Sequence, residues 1–333
     1  MLQALVTSGV VFGIWFSFAV FFHAMVQEFH WSRGGAAAAF SVGSLVQALL
    51  SPVCGMLSDR WGPRLVVVSG LLSMAVGLAA CRGIQELWHL TVLFGVLVGL
   101  GVGLAGQVTH AALLSVWFIR RRGTIIGFAF AGMGLGVQAI SPLAQHLILH
   151  TGWRQTFVVL ALGTAVYAVL VLLALRNRPQ DVGIQPYGTM QLQTGVAAPR
   201  AASPLRAPVQ PWTVQQALRT REFWALSVAQ LLIPTAIFPI SVHQVAYLAD
   251  LGFSAQLAAA ILGTMGLMSS FGRLIFGILS DRVGRFGGVT LSVVCSQLGI
   301  LVLLQITSSA VTWPPLYLCL LLWSGVWRAW ADS

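Results

Sequence analysis

The chain has 333 residues, 57% of them apolar and only 8% charged. Soluble domains carry about 25% charged residues, so a water-soluble globular class is excluded and a polytopic membrane protein is indicated. The net charge of +10, with all 18 basic residues arginine, raises nucleic acid as a partner, but where those arginines fall argues against it.

Apolar stretches occupy 4–26, 35–57, 65–81, 88–112, 124–149, 155–175, 223–248, 256–279, 287–306 and 314–330, each read as a membrane helix. The first has no basic flank and is too long for a signal-peptide core, so it reads as the first span. With a cytoplasmic N-terminus, the inner loops hold Arg60, Arg64, Arg120, Arg121, Arg122 and the arginines from Arg176 to Arg221, then Arg282 and Arg285. The outer loops hold only Arg33, Arg82 and Arg154. This asymmetry is the positive-inside rule, so the basic balance describes topology in a cell inner (plasma) membrane. Cys54, Cys81, Cys295 and Cys319 are scattered through the apolar stretches without metal or redox spacing.

Ten residues from Gly55 to Arg64 match ten from Gly277 to Phe286, sharing Gly, Leu, Ser, Asp, Arg and Gly in register. The offset of 222 positions (277 − 55) also carries Trp31-Ser32 onto Phe253-Ser254 and Ala36–Ala38 onto Ala258–Ala260. Two homologous halves follow, an arrangement common in secondary transporters. Ser32 and Ser254 stand at helix N-cap positions; Gly35 and Leu257 three residues on leave the fuller capping box unmade. Between the halves, Pro179, Pro186, Pro199, Pro204, Pro208 and Pro211 mark a cytoplasmic linker. The expected domains are a six-helix bundle at 1–175, a linker at 176–221, and an incomplete bundle at 222–333 with three full helices and a partial fourth.

One charge interrupts an apolar stretch deeply. Arg273 lies eight residues before Asp281, roughly 12 Å along a helix, where a guanidinium normally faces a partner or an aqueous path. Its planar fork matches a carboxylate. No Asp or Glu lies deep in any stretch, with Asp59 and Asp281 expected in charged turns. A buried cation without a buried acid favours an anionic substrate and leaves His23, His110 and His243 as candidate substrate or proton groups. For each histidine a hydrogen-bonded packing role stands as the competing reading. Gly95, Gly99 and Gly103, and Gly132 with Gly136, have the spacing of close helix packing.

The doubled Gly-x-Leu-x-Asp-Arg-x-Gly turn resembles the signature loop of the major facilitator superfamily. Glu28–Arg33, Trp117–Gly123, Gly152-Trp153-Arg154 and Arg178–Gly183 further resemble the branch of monocarboxylate porters and oxalate/formate antiporters. The resemblance implies an all-α major facilitator fold of two six-helix halves, here with about ten helices and a truncated second half. It implies that Arg273 binds a substrate carboxylate and that His23 sits near a first-helix cation position. It further implies that Gly55, Asp59, Arg60, Gly62 and Arg64, with Gly277, Asp281, Arg282, Gly284 and Arg285, form a conformational latch. Two departures stand out: the eleventh-helix cation of the antiporters has no counterpart, and Ser269 replaces the acidic residue one turn before the porters' arginine. The expected function is a carrier of small organic anions, mono- or dicarboxylates, working by alternating access with protons or a counter-transported anion. The alternative is a truncated, non-transporting membrane protein derived from such a carrier. No cofactor, metal or nucleic acid is implied, and no constellation of catalytic groups suggests an enzyme.

Overall fold

The computed structural model describes residues 1–118, 122–177 and 254–283, with isolated positions 183, 216, 219–221, 223–225, 227, 228, 243 and 246. Within these ranges the side chains of Arg122, Gly123, Ala255, Met265, Ser269 and all residues after Gly272 are not described.

The first span is two helices, α1 (Leu2–Phe16) and α2 (Phe18–Phe29). They part at Ser17, whose hydroxyl donates to the Ile14 carbonyl at 2.7 Å, a back-bond that bends helices. Helix α3 (Arg33–Trp61) opens with the Ser32 hydroxyl accepting from the Gly35 N–H at 3.2 Å, the expected cap. It runs unbroken through Asp59 and Arg60 and stops at Gly62, whose φ of 82° needs glycine. Asp59 is therefore helical rather than part of a loop turn. Helix α4 (Pro63–Cys81) begins on a proline, in the first turn where no N–H partner is needed.

The fourth span is composite. A short α5 (Leu87–Leu90) leads into a π-helical segment (Thr91–Val98), then α6 (Gly99–Leu104), and after Ala105-Gly106 comes α7 (Gln107–Trp117). Long π-helical runs are rare and recur at functional sites. Helices α8 (Arg122–Thr151) and α9 (Trp153–Ala174) complete the first six spans. Six helical stretches are long and apolar enough to cross a membrane among the described residues: Leu2–Phe29, Arg33–Trp61, Pro63–Cys81, Leu87–Trp117, Thr124–Thr151 and Trp153–Ala174. Helix α10 (Ala255–Val283) follows, 29 residues long. It carries Asp281 and Arg282 within the helix, correcting the expected turn there as well. The ninth and tenth apolar stretches and most of the seventh lie outside the described residues, as does nearly all of the linker.

Side chains of small volume decide how closely these helices approach. Gly95 and Gly99 face the backbone of Ala39 and Gly43 on α3, leaving no room for a Cβ. Gly132 and Gly136 do the same on α8 against Leu5 and Gly9 of α1, so these four glycines lie in packing seams, as the sequence suggests, whereas Gly103 makes only ordinary contacts, a Cβ there lying 3.5 Å from the Gln47 Cα. Gly134 turns the other way, onto Gly266 of α10. Beside it the Ser270 hydroxyl donates to the Ala131 carbonyl at 2.6 Å. Helix α8 is thus held between α1 and α10. An aromatic cluster fills the middle: Trp15 stacks on Phe40 at 4.6 Å and on Phe94 at 5.4 Å. The exposed flank of α9 presents Leu162, Val166, Leu170 and Leu173, a surface suited to lipid and costly in water.

Candidate functional site

The last turns of α1 and the break in the fourth span meet at a cavity of about 160 Å³ among α1, α3, α6, α7 and α8. Phe12, Trp15 and Met133 give it apolar walls; Gln47, Ser51 and Gln107 give it polar ones. Gln47 is the midpoint of α3, fourteen residues from Arg33 and fourteen from Trp61 (47 − 33 and 61 − 47). That puts it roughly 21 Å from either helix end, deep in a membrane. Gln107 opens α7 directly after the Gly106 break, and its amide lies 3.9 Å from the Met133 sulfur. The Ser51 hydroxyl is spent on the Gln47 carbonyl at 3.2 Å. The Gln47 amide nitrogen is buried and has no hydrogen-bond partner among the described residues. The Cys54 thiol donates to the Gly103 carbonyl at 3.4 Å, tying α3 to α6 beneath the cavity. No charged side chain is among the described residues lining it.

The three histidines do not converge there. His110 is buried on α7, but its Nδ1 lies 3.0 Å from the Gly106 carbonyl and it is not among the cavity lining. His243 sets its ring edge-on against Phe22 at 5.6 Å, next in sequence to the half-buried His23 on α2. The backbone of Arg273 lies in α10 one turn beyond Ser270; its side chain is outside the described residues, as are Gly284 and Arg285.

The signature stretch forms a second hollow of about 360 Å³, lined by Ser58, Asp59, Arg60, Gly62 and Asn177 among others. Asn177, just past α9, accepts from the Arg64 N–H at 2.9 Å. A Cβ on Gly62 would sit 2.7 Å from the Asn177 amide. The Arg64 guanidinium donates to the Leu172 carbonyl of α9. Among the described residues, the Arg64 guanidinium holds this turn to α9.

At the opposite end of the bundle, two sequence strings prove to be one cluster. Glu28 accepts from Arg154 Nη1 at 2.6 Å and from the Trp153 indole at 2.5 Å. Arg154 also lies over the Trp153 ring at 4.1 Å, and Phe29 stacks on Trp31 at 4.4 Å. The first span is clasped there to the start of α9.

Sequence reasoning passed over Gln47, Ser51 and Gln107. A signal for two of them existed: the 222-residue offset carries Ser51 onto Arg273 and Gln47 onto Ser269 (51 + 222 and 47 + 222). Helices α3 and α10 also begin and end at that offset, 33 to 255 and 61 to 283. Each is capped alike, the Ser254 hydroxyl accepting from the Leu257 N–H at 3.2 Å.

Among known families, the profile of the Major Facilitator Superfamily matches residues 4–331. The chain belongs to the Major Facilitator Superfamily. Within that superfamily it is similar to monocarboxylate transporter 13 of Bos taurus, 34% identical over 85% of this chain and 61% of that protein. Monocarboxylate transporter 4 of Rattus norvegicus is 29% identical over 79% of this chain and 52% of its own length. The Escherichia coli MFS-type transporter YhjX is 26% identical over 82% of this chain and 64% of that one. The chain thus spans half to two thirds of the length of these curated relatives, in the monocarboxylate-like branch. In structure it is similar to a bacterial homolog of the human lysosomal transporter Spinster, solved inward-facing and unoccupied. The TM-score is 0.68 at 15% identity, over 99% of this chain and 72% of that one. That likeness carries the superfamily fold, and the protein is a multi-pass membrane protein of a transporter family.

Proposed function

We propose that the chain carries small organic anions, mono- or dicarboxylates, across the cytoplasmic membrane by alternating access between its two halves. The observation that carries this reading is the cavity at the midpoint of α3, where the repeat sets Ser51 in register with Arg273. Of the two pseudo-equivalent helices, α10 alone then carries a cation at that depth, since the Ser51 hydroxyl of α3 is spent on the Gln47 carbonyl. A guanidinium in that position binds a carboxylate by two parallel hydrogen bonds, in surroundings that strengthen them. The monocarboxylate-transporter relatives support a carboxylate cargo and favour a carrier over a non-transporting derivative. Arginine placement supports a cytoplasmic N-terminus.

In this reading the stretch Gly55 to Arg64 and its repeat Gly277 to Arg285 govern which side is open. Arg64 bound to the α9 backbone ties movement of the loop to movement of the sixth span. Asp59→Asn should shift access between the two sides while leaving anion contact at Arg273 intact. A loss of substrate binding as deep as that of an Arg273 variant would contradict the division of labour. His243, whose ring meets Phe22, and the half-buried His23 are the histidines this reading assigns to proton coupling, and His110 reads as a packing group. Uptake unaffected by an imposed proton gradient would remove the coupling role.

The test is uptake into proteoliposomes in competition with acetate, lactate, oxalate and cationic dyes. Inhibition by the carboxylates alone supports the reading, and inhibition by the dyes alone overturns it in favour of drug efflux.

A further inference from the structure

The last turns of α8 carry two histidines that packing does not call for. His146 and His150 stand four residues apart, so they share one face of the helix, and both are exposed. One turn earlier the same face presents Leu143, also exposed, so an apolar side chain suited to lipid would serve there. The two rings instead lie against each other, with centroids 4.2 Å apart and planes inclined at 36°. The His150 Nδ1 lies 2.8 Å from the His146 carbonyl. A carbonyl oxygen only accepts, so Nδ1 carries the hydrogen and, in the neutral ring, Nε2 keeps its lone pair. Metal-bound imidazoles are set up in this way: the nitrogen away from the ion donates to a carbonyl, which fixes the tautomer and the ring.

We propose that His146 and His150 form a binding site for a transition-metal dication of the copper or zinc class, held through their two Nε2 atoms. Histidines at i and i+4 have the spacing with which a single helix chelates zinc. Nitrogens bound to one tetrahedral ion at ~2.05 Å stand roughly 3.3 Å apart, within reach of rings already in contact. Charge agrees. The pair lies in the last turns of α8, which ends at Thr151, where free carbonyls and the negative end of the helix dipole favour a cation. The nearest arginine along the chain, Arg154, is held by Glu28 at 2.6 Å and adds little repulsion. Among the described residues no third His, Cys, Asp or Glu completes the set, which leaves the remaining positions to water. Such an open two-imidazole site takes copper(II) ahead of zinc, by the general order of divalent-metal affinities. Its place in the fold matters too. Gln138 of α8 faces Gly263 of α10, and Gly134 faces Gly266, so the two helices run antiparallel. His146, eight residues beyond Gln138, is level with Ala255, eight before Gly263, where α10 starts (146 − 138 and 263 − 255). A bound ion therefore sits where this crossing begins, and the ring it closes between two turns holds the end of α8 against fraying. The site is independent of what the chain carries.

The experiment uses the purified full chain without a histidine tag and takes Cu2+ and Zn2+ alone as probes. The proteins are the native chain, His146→Ala, His150→Ala and the control His89→Asn, whose histidine is engaged at its own helix start. Titration with Cu2+ should load a single ion per chain, with electron paramagnetic resonance showing coupling to two imidazole nitrogens. Zn2+ should compete for the same site and bind more weakly. Either α8 variant should weaken Cu2+ binding at least about tenfold, because losing even an outer hydrogen-bond partner of a ligand costs ~10–100-fold. His89→Asn should bind as the native protein does. Saturating Zn2+ should raise the melting temperature of the native protein and leave both α8 variants unmoved. Both variants should fold, since the two side chains are exposed, and their melting temperatures without metal check this. Cu2+ held by a single nitrogen, or binding retained in both α8 variants, overturns the site. An equal loss in His89→Asn places the ion elsewhere and overturns it too. No Cu2+ bound by the native protein leaves the pair a stacked helix end and overturns the proposal outright.

Discussion

Helices α3 and α10 occupy matching stretches of the repeat, 29 residues each, with serine caps of the same 3.2 Å geometry. They nevertheless meet their neighbours through different faces. Helix α3 approaches the fourth span at Ala39 and Gly43, whereas α10 approaches α8 at Gly263, Gly266 and Ser270. In the repeat's register those three correspond to Ser41, Ser44 and Ala48 of α3, of which Ser41 and Ala48 are exposed. Length, cap and terminal turn were kept after duplication while lateral partners and central polar residues diverged. The shared features are those a helix needs to form in a membrane; the divergent ones are those that choose a neighbour or a ligand.

The strongest way to break the comparison is at its centre. Arg273→Lys keeps the charge but loses the fork, and carboxylate uptake should fall about 100-fold, the scale of misplacing a reacting or binding group. Ser51→Ala at the matching position of α3 should leave uptake within the native range, because its hydroxyl is already spent on the Gln47 carbonyl. Equal losses in the two variants would mean the halves share the anion.

The lateral contacts come next. Gly134→Ala forces a methyl into the Gly266 backbone and should cost about 1–3 kcal/mol, read as a lower melting temperature of the purified chain. Gly103→Ala is the control, since its Cβ would meet the Gln47 Cα at an ordinary 3.5 Å. A drop of the same size in both would remove the distinction between a tight crossing and a loose one.

Smaller effects belong to the features the helices share. Ser32→Ala and Ser254→Ala should each cost about 1 kcal/mol, and by the same amount, because each accepts a single N–H three residues on. A clear inequality in thermal unfolding would show that one cap supports more than its own helix. Smallest of all is Glu28→Gln. Its pair with Arg154 is 42% and 40% exposed respectively, so solvent screens it and the loss should stay below about 1 kcal/mol.

Sequence periodicity found the first six membrane spans to within a few residues, because an apolar run of that length has only one stable use. The repeat and the caps were also visible, being local patterns of Ser, Gly and Asp. Ser17 and the Thr91–Val98 segment were hidden: a serine in an apolar run and a run of valines and leucines look like ordinary helix until neighbours are present. Gln47 was hidden for a related reason. A lone amide carries no charge to draw attention, and its importance lies in what it fails to bond. The clasp of Glu28 with Trp153 and Arg154 joins residues 125 and 126 positions apart, a pairing no local pattern encodes. Asp59 was misread as loop because charge was taken to end a helix, whereas the helix ends only where Gly62 turns.

The π-helical stretch Thr91–Val98 has a consequence for how this cavity can change over time. A wide turn accommodates a residue that an ordinary α-helical turn would not, and each residue rotates a helix by about 100°. Everything beyond it in the fourth span, including Val102 and Gln107 at the cavity wall, faces where it does because of chain length upstream. Removing one residue between 91 and 98 would swing that wall round while leaving every side chain in it unaltered. An indel there would act as a rewrite of the binding surface, without a single substitution in it.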